Sequence, residues 1–230
     1  MPAHSVPADT ATAEPGDDVL LPRLRVTGLS AEVRAVPAPP LVRMPAPFAV
    51  RCADPDADAE LVAAWMSRDL LIHTWNSAWP ADRWRRYLAA QLDSDFSRPL
   101  MLSYEETTVG YLELYRASRD TISTFYAADP WDLGLHAAVV VRSAMPARGI
   151  AVGLAGLVEA AFRAEPRCRR VMFEPDHRNT PARLVCERAG CQELGQHHMP
   201  TRRIALYAWP RDRGDPAPPY QGLEASAPTA

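Results

Sequence analysis

The stretch LGLHAAVVV at residues 133–141 is apolar at almost every position, and it limits the folds open to this chain more than any other segment. A strand with one face in water alternates apolar and polar residues, whereas a strand buried on both faces does not. The stretch therefore indicates a central strand of a sheet that carries a covering layer on each side. No apolar run approaches the ~18 residues needed to cross a bilayer, so we expect no membrane span.

Apolar periodicity predicts further strands and helices between residues 48 and 210. Strands are predicted at 48–54, 98–104, 108–117, 133–141, 169–175, 192–198 and 202–210. Helices are predicted at 55–68, 80–92, 148–164 and 180–190, the last with Thr180 as its N-cap. The order β-α-α-β-β-β-α-β-α-β-β predicts an α/β fold with a mixed sheet.

The two ends of the chain are rich in proline or small residues and lack apolar periodicity. We therefore expect one domain at 48–211, a proline-rich, partly disordered extension at 1–47 and a disordered tail at 212–230. The four cysteines include no C-x-x-C pair, and the chain opens without a leader of the signal-peptide type. We expect a cytoplasmic protein.

Charge and composition exclude several classes of function. The net charge is −3 and no block of like charges occurs, so no footprint for nucleic acid is predicted. All 25 basic residues are arginine. Without lysine the chain has neither a Schiff-base lysine for pyridoxal phosphate nor a P-loop lysine.

The turn MPARGIAVG joins the strand at 133–141 to the helix at 148–164. Residues 148–153 match R-x-x-G-x-G except at Ala151. Small residues at such a turn let a diphosphate approach the backbone N–H groups and the positive end of the helix dipole. Taken alone, the turn fits a helix packed closely on a sheet equally well.

The segment FEPDHRNTPARLVCERAGC at 173–191 gathers chemically active side chains at a strand end. Ligands of α/β sheets bind beside the carboxyl ends of strands, which is where Glu174 and Asp176 lie. His136, inside an apolar strand, fits either a hydrogen-bonded core histidine or a catalytic one. A metal site is disfavoured, because neighbouring residues of a strand alternate faces and no H-x-x-x-H or C-x-x-C companion exists. We predict no bound metal.

The element order and the turn at 148–153 together resemble the GCN5-related N-acetyltransferase (GNAT) family, whose central, mixed and mostly antiparallel sheet is flanked by helices. Four segments resemble its siderophore-biosynthesis branch, the mycobactin-type lysine N-acyltransferases and the aerobactin-type Nε-hydroxylysine acetyltransferases. They are residues 73–93, 110–117, 129–139 and 173–191. The most specific is the strand end E-P-D-H-R-N-T followed by a capped helix.

The resemblance implies acyl-CoA as the co-substrate and assigns roles to individual residues. His136 becomes the base that accepts the acceptor's proton, and Glu174 the carboxylate that orients it, where most mycobactin-type members carry aspartate. Asn179 would lie beside the pantetheine. Cys186 stands where many acetyltransferases carry a proton-donating tyrosine, and it is a poor substitute. The pyrophosphate would be held by Arg148, Gly149, Ile150, Ala151, Val152 and Gly153.

An acceptor with an α-carboxylate and an apolar stem needs an arginine and aromatic walls. Trp75 and Trp79 are predicted as those walls, although core packing also explains both. Arg83 or Arg86 is predicted as the carboxylate partner, and Asp176 as a partner for the acceptor's amine. The leading hypothesis is an acyl-CoA-dependent N-acyltransferase of lysine, Nε-hydroxylysine or a related diamine in hydroxamate siderophore biosynthesis. A siderophore synthetase or an acyl carrier protein is the expected partner. The alternatives are an acetyltransferase of an antibiotic or polyamine and a catalytically silent acyl-CoA-binding module.

Overall fold

The computed structural model describes residues 28–146, 148–199 and 202–219. Residues 1–27 of the predicted extension and 220–230 of the predicted tail lie outside this part of the chain. Among the helices of the described residues, none combines the length and the apolar character that crossing a bilayer requires.

The described residues form seven strands and six α-helices in one α/β arrangement. The strands are β1 (Phe48–Cys52), β2 (Ser97–Tyr104), β3 (Thr107–Arg116), β4 (Leu133–Val139), β5 (Arg170–Phe173), β6 (Gln192–His198) and β7 (Arg203–Pro210). The helices are α1 (Ala31–Ala35), α2 (Pro55–Met66), α3 (Asp69–Trp75), α4 (Ala81–Asp93), α5 (Gly149–Ala164) and α6 (Thr180–Arg188). All seven predicted strands and all four predicted helices are confirmed, with ends that differ by at most two residues.

The strands form a single sheet in the order β1-β2-β3-β4-β5-β7-β6. Every neighbouring pair is antiparallel except β4 and β5, so the predicted mixed, mostly antiparallel sheet is confirmed. The described register between β4 and β5 contains two pairs, Leu133–Val171 and Gly134–Met172. Beyond them the two strands are not hydrogen-bonded to each other, and a gap opens in the middle of the sheet.

Side chains of β4 alternate between the two faces of the sheet and pack into two different hydrophobic clusters. Leu133 and Leu135 join the cluster that contains Leu157 of α5, while Ala138 joins the cluster that contains Trp84 of α4. Because side chains of a strand alternate between faces, His136 points to the same side as Ala138. The strand is therefore covered on both faces, as its apolar sequence predicts.

Two elements were absent from the sequence prediction. Helix α3 occupies part of the segment expected to be a loop, and it has no side-chain N-cap at Arg68. It ends at Asn76, whose φ of 54° lies in the left-handed region. The second element is α1, which precedes a segment whose Val42 is fully buried in the core. A helix of five to seven residues spans less than two turns, so its periodicity is too short to be read.

Candidate active site

The gap between β4 and β5 brings His136 and Glu174 together. His136 lies two residues beyond the last paired residue of β4, and Glu174 directly follows β5. The Nε2 atom of His136 is hydrogen-bonded to Oε1 of Glu174. The two side chains are 10% and 1% exposed, so the pair lies in a site largely closed to water.

Aromatic rings hold the imidazole of His136 on two sides. Tyr115 lies against it with the ring centroids 4.6 Å apart, and Trp75 meets it edge-on at 5.9 Å. Gly134 faces Tyr115 across the strands, and a Cβ at this position would come within 2.1 Å of the tyrosine ring. Glycine is therefore required here to let Tyr115 reach the imidazole.

A second carboxylate, that of Glu113, contacts the other nitrogen of His136. Glu113 is the direct neighbour of His136 in the register of β3 and β4, and its Oε2 lies 2.8 Å from Nδ1. Sequence analysis missed this residue. The available signal was its place between Tyr111 and Tyr115 on one face of β3, an acid in the middle of an otherwise apolar strand.

Arg202 completes the surroundings of Glu174 and was also missed. Its Nη2 lies 2.9 Å from Oε1 of Glu174, and its Nη1 donates to the backbone carbonyl of Glu174 at 3.2 Å. Arg202 precedes β7, so contact with the end of β5 depends on the pairing of these two strands. No local sequence signal marks that pairing.

A cavity of about 340 Å³ passes through the gap and joins this pair to the start of α5. At one end of the cavity the pair His136 and Glu174 lies with Trp75 and Arg202. At the other end the lining consists of Gly149, Ile150 and Gly153 of α5, and residues of β4 line the part between. Between these ends the lining is apolar, with Leu102, Leu112, Leu135 and Leu157. The geometry fits an elongated ligand with an anionic end at α5 and its reacting end at His136.

The first turn of α5 exposes some of the predicted phosphate-binding residues to solvent, whereas one of them faces the core. Arg148, Ala151 and Val152 are exposed, but Gly153 faces the core, where a Cβ would come within 2.8 Å of the Phe48 ring. The N–H of Gly149 donates to Pro146, and the N–H of Val152 donates to Arg148. The N–H groups of these two residues of the predicted phosphate-binding turn are therefore already paired within the chain.

Asn179 and Cys186 of the α6 region both line the cavity. The Oδ1 of Asn179 accepts the N–H of Ala182, so Asn179 is the N-cap of α6 and the prediction of Thr180 was wrong by one residue. A hydrogen bond with Cys191, together with burial, raises the pKa of the Cys186 thiol. A thiol with a raised pKa is a weaker acid than an ordinary one, which disfavours Cys186 as a proton donor.

Asp176 lines the cavity but already has a cationic partner. Arg178 contacts both of its carboxylate oxygens, Nε with Oδ1 at 2.9 Å and Nη2 with Oδ2 at 3.0 Å. Burial opposes ionisation, yet the hydrogen bonds from Arg178 outweigh it and hold the pKa of the Asp176 carboxyl below its usual value. Asp176 is therefore an anion paired with Arg178 beside the site.

The structure separates the predicted acceptor residues into two groups. Trp75 lines the cavity beside His136. Trp79 instead packs on Trp84 and Tyr87, with ring centroids 5.0 and 5.2 Å away, and the guanidinium of Arg83 lies 4.2 Å above it. Neither Trp79 nor Arg83 is among the residues that line the cavity. Their place in the acceptor site therefore stays a prediction.

Metal ligation has no geometric support in the part of the chain that the structure describes. Among these residues, no group of three His, Cys, Asp or Glu side chains is arranged so that it could hold a metal ion. The ring of His177 is directed to the carbonyl of Arg203, 3.1 Å from its Nδ1.

Comparison with known proteins agrees with this geometry. Residues 54–199 match the family described as acetyltransferase (GNAT) domain. The chain is 53% identical over 208 residues to lysine N-acyltransferase MbtK of Mycobacterium sp. (strain MCS), covering 90% of this chain and 84% of that protein. It is 29% identical over 156 residues to the N(6)-hydroxylysine O-acetyltransferase of Escherichia coli, covering 68% of this chain and 50% of that protein. Aminoglycoside acetyltransferase AAC(6')-Ib, solved in complex with coenzyme A, shares the fold with a TM-score of 0.62 at 20% identity, covering 72% and 96% of the two chains.

Proposed function

This chain belongs to the acetyltransferase (GNAT) domain family, and from that premise we propose that it acylates the side-chain nitrogen of lysine, Nε-hydroxylysine or a related diamine in hydroxamate siderophore biosynthesis. Acyl-CoA is the donor. The observation that carries the proposal is the continuous cavity from the first turn of α5 through the β4–β5 gap to His136 and Glu174. The names of two relatives, a lysine N-acyltransferase and a hydroxylysine O-acetyltransferase, support the class of acceptor.

The residues along the cavity fit acyl-CoA. The start of α5 offers backbone amides and the positive end of a helix dipole to the pyrophosphate. The backbone of β4 beyond Gly134, which is not hydrogen-bonded to β5, offers N–H and C=O groups to the amides of pantetheine. Leu102 and Leu112 line the apolar stretch between the two ends, where the hydrocarbon parts of the pantetheine arm would pack. The thioester supplies an activated acyl group with a thiolate as its leaving group.

In the proposed reaction, His136 and Glu174 remove one proton from the acceptor nitrogen. A C–N bond forms as the acceptor nitrogen attacks the thioester carbon, the C–S bond breaks, and the nitrogen loses a proton. An imidazole beside the cavity is suited to take that proton near neutral pH. Burial of the pair strengthens the electrostatic interactions that stabilise the charge formed.

The proposal is tested by one assay with two panels. Release of free thiol from acetyl-CoA and from longer acyl-CoA is measured with lysine, Nε-hydroxylysine, a diamine and an aminoglycoside as acceptors. We expect turnover with lysine or its hydroxylated form and none with the aminoglycoside. Binding of acyl-CoA without turnover on any acceptor would instead indicate a silent binding module. An acylated carrier protein is tested as the donor in the same assay. The acylated product is then offered to a siderophore synthetase, and its consumption is measured.

The phosphate-binding part of the proposal predicts that Ala151→Glu weakens CoA binding about tenfold. Ala151 is exposed in the first turn of α5, and a carboxylate there repels the diphosphate. The fold is kept, because an acidic side chain near a helix N-terminus stabilises the helix. Gly153→Glu is unsuitable, since its side chain would displace Phe48. The dissociation constant is measured by calorimetry.

Ala164→Glu is the matched control for this prediction. It adds the same charge to the same helix, about 20 Å away along its axis, at another exposed position. We expect its affinity for CoA to stay within about twofold of that of the unmodified protein. Equal affinities in the two variants would contradict a pyrophosphate site at the start of α5.

The acceptor's polar end is proposed to lie in a second cavity of about 220 Å³ beside the first. It is lined by polar side chains that include Asn76, Asp176, Arg178 and Arg202. Asp176 and Arg202 line both cavities, so an acceptor can reach from one to the other. The arginines suit an α-carboxylate, and the ionised Asp176 suits an α-ammonium group.

We expect Arg178→Gln to raise the Michaelis constant for the acceptor about tenfold, because it removes a charged partner of a carboxylate. The constant for acyl-CoA should be unchanged, since Arg178 lines only the second of the two cavities. Arg83→Gln removes an arginine that lies over Trp79 instead, and it should change neither constant. Steady-state kinetics with each substrate varied in turn measures both. A larger increase of the acceptor's Michaelis constant in Arg83→Gln than in Arg178→Gln would instead support an acceptor site at Arg83.

A further inference from the structure

A chain of buried hydrogen bonds reaches His136 from the side opposite Glu174. Ser97 donates to Oε1 of Gln91 at 2.7 Å, and Nε2 of Gln91 donates to the hydroxyl of Tyr111 at 2.9 Å. The Tyr111 hydroxyl donates to Oε1 of Glu113 at 3.0 Å. Oε2 of Glu113 lies 2.8 Å from Nδ1 of His136. Ser97, Gln91 and Glu113 are each at most 3% exposed, so water does not compete for these bonds.

The donors in this chain all point toward Glu113. Nε2 of Gln91 also lies 3.5 Å from Oε1 of Glu113, which an amide nitrogen tolerates and an amide oxygen does not. With Gln91 so oriented, the hydroxyl of Tyr111 accepts from Gln91 and gives its own proton to Glu113. Oε1 of Glu113 therefore accepts hydrogen bonds, and these favour the ionised carboxylate. The Oε2 of an ionised Glu113 can only accept, so the group facing it is an N–H.

On this basis we propose that Glu113 is the positioning residue of the site. It holds the proton of His136 on Nδ1 and thereby makes Nε2 the nitrogen that takes up the acceptor's proton. The inference rests on the proposed acyl transfer, and it assigns to Glu113 the orienting role that the family resemblance implies for Glu174. A carboxylate that fixes the tautomer of a catalytic histidine through Nδ1 is an established arrangement in other enzymes.

The role of Glu174 changes with this assignment. When Nδ1 carries its own hydrogen, the contact between Nε2 and Oε1 of Glu174 contains one further proton. Arg202, 2.9 Å from Oε1, favours the ionised Glu174 and so places that proton on Nε2, which makes this contact the state reached after His136 has taken up a proton. Before the transfer the ring is neutral, with its hydrogen on Nδ1 and none on Nε2. Nε2 therefore takes the acceptor's proton on the cavity side, where Glu174 stabilises the imidazolium, while Glu113 stays behind the ring.

The experiment compares Glu113→Gln with Glu113→Asp. We expect Glu113→Gln to lower kcat about tenfold to a hundredfold with both Michaelis constants within about twofold, because its amide can donate to Nδ1 and favour the wrong tautomer. Glu113→Asp keeps the charge and should recover part of the loss. Glu159→Gln makes the same chemical change on the exposed face of α5 and should leave kcat unchanged. A Glu113→Gln protein that folds and keeps the unmodified kcat overturns the proposal.

Nitrogen NMR of the unmodified, full-length protein gives a readout that does not depend on activity. Long-range ¹⁵N–¹H correlations of the imidazole rings are recorded at alkaline pH, and the ring of His136 is assigned among the six histidines by its loss in His136→Asn. We expect the Nδ1–H form. The Nε2–H form overturns the proposal even if Glu113→Gln fails to fold. If no acceptor is turned over, the acyl-transfer proposal fails while the tautomer measurement still tests this one.

Discussion

Replacing His136 with alanine is expected to lower kcat with lysine by about 10²-fold or more while the affinity for CoA stays within about twofold. The imidazole is the group beside the cavity that can take the acceptor's proton, and Nε2 faces Glu174 across the gap. CoA binding depends on the start of α5 and on the backbone of β4, which the substitution leaves in place. Thiol release and calorimetry measure the two quantities.

The acceptor decides how large this loss is. The amine of lysine is protonated at neutral pH, whereas a hydroxylamine nitrogen is less basic and already neutral, so the hydroxylated acceptor needs less help. We therefore expect a smaller loss with Nε-hydroxylysine than with lysine. His177→Ala removes an imidazole near the site that bonds to the carbonyl of Arg203, and it should change kcat less than twofold. Equal losses for the two acceptors would argue that His136 binds substrate and does not take its proton.

The second large effect concerns stability. Arg116→Ala is expected to lower the free energy of unfolding by about 3–5 kcal/mol. The Arg116 side chain is fully buried, and its Nη2 lies 2.8 Å from Oε2 of Glu165. It also donates to the backbone carbonyls of Pro37 and Ala38 at 2.8 and 3.3 Å. Removing the guanidinium leaves a largely buried carboxylate and these carbonyls without their donor, which costs more than the pair contributes.

Urea unfolding, followed by fluorescence of the tryptophans, measures this change. Arg85→Ala is the matched control, since Arg85 pairs with the exposed Asp56 and Asp82 and its loss should cost less than about 0.5 kcal/mol. Arg116 also fixes the segment before β1, so limited proteolysis of Arg116→Ala should cut near Pro37 first. Similar stabilities for the two arginine variants would show that the buried pair is dispensable.

Much of the fold was predictable because most strands and helices are long enough for the spacing of their apolar residues to be recognised. The alternation in β3, with Leu112 and Leu114 on one face and Tyr111 and Tyr115 on the other, marks a strand covered on both sides. Prolines and small residues at helix ends marked α6, although its N-cap is Asn179 and not Thr180. The short α3 left no such trace, and Trp79 and Arg83, predicted in the acceptor site with Trp75, do not line the cavity that Trp75 lines.

The sequence by itself determined the order of the seven strands and of the four longer helices, and the likeness to the family, because local periodicity and short motifs carry that information. It also pointed to His136 and Glu174 as candidate catalytic residues. Tertiary structure alone decided which side chains surround the imidazole. Glu113 reaches it through the register of β3 on β4, and Arg202 reaches Glu174 from the start of β7. Register and strand order arise from the packing of residues far apart in the chain, and no single segment of the sequence encodes them.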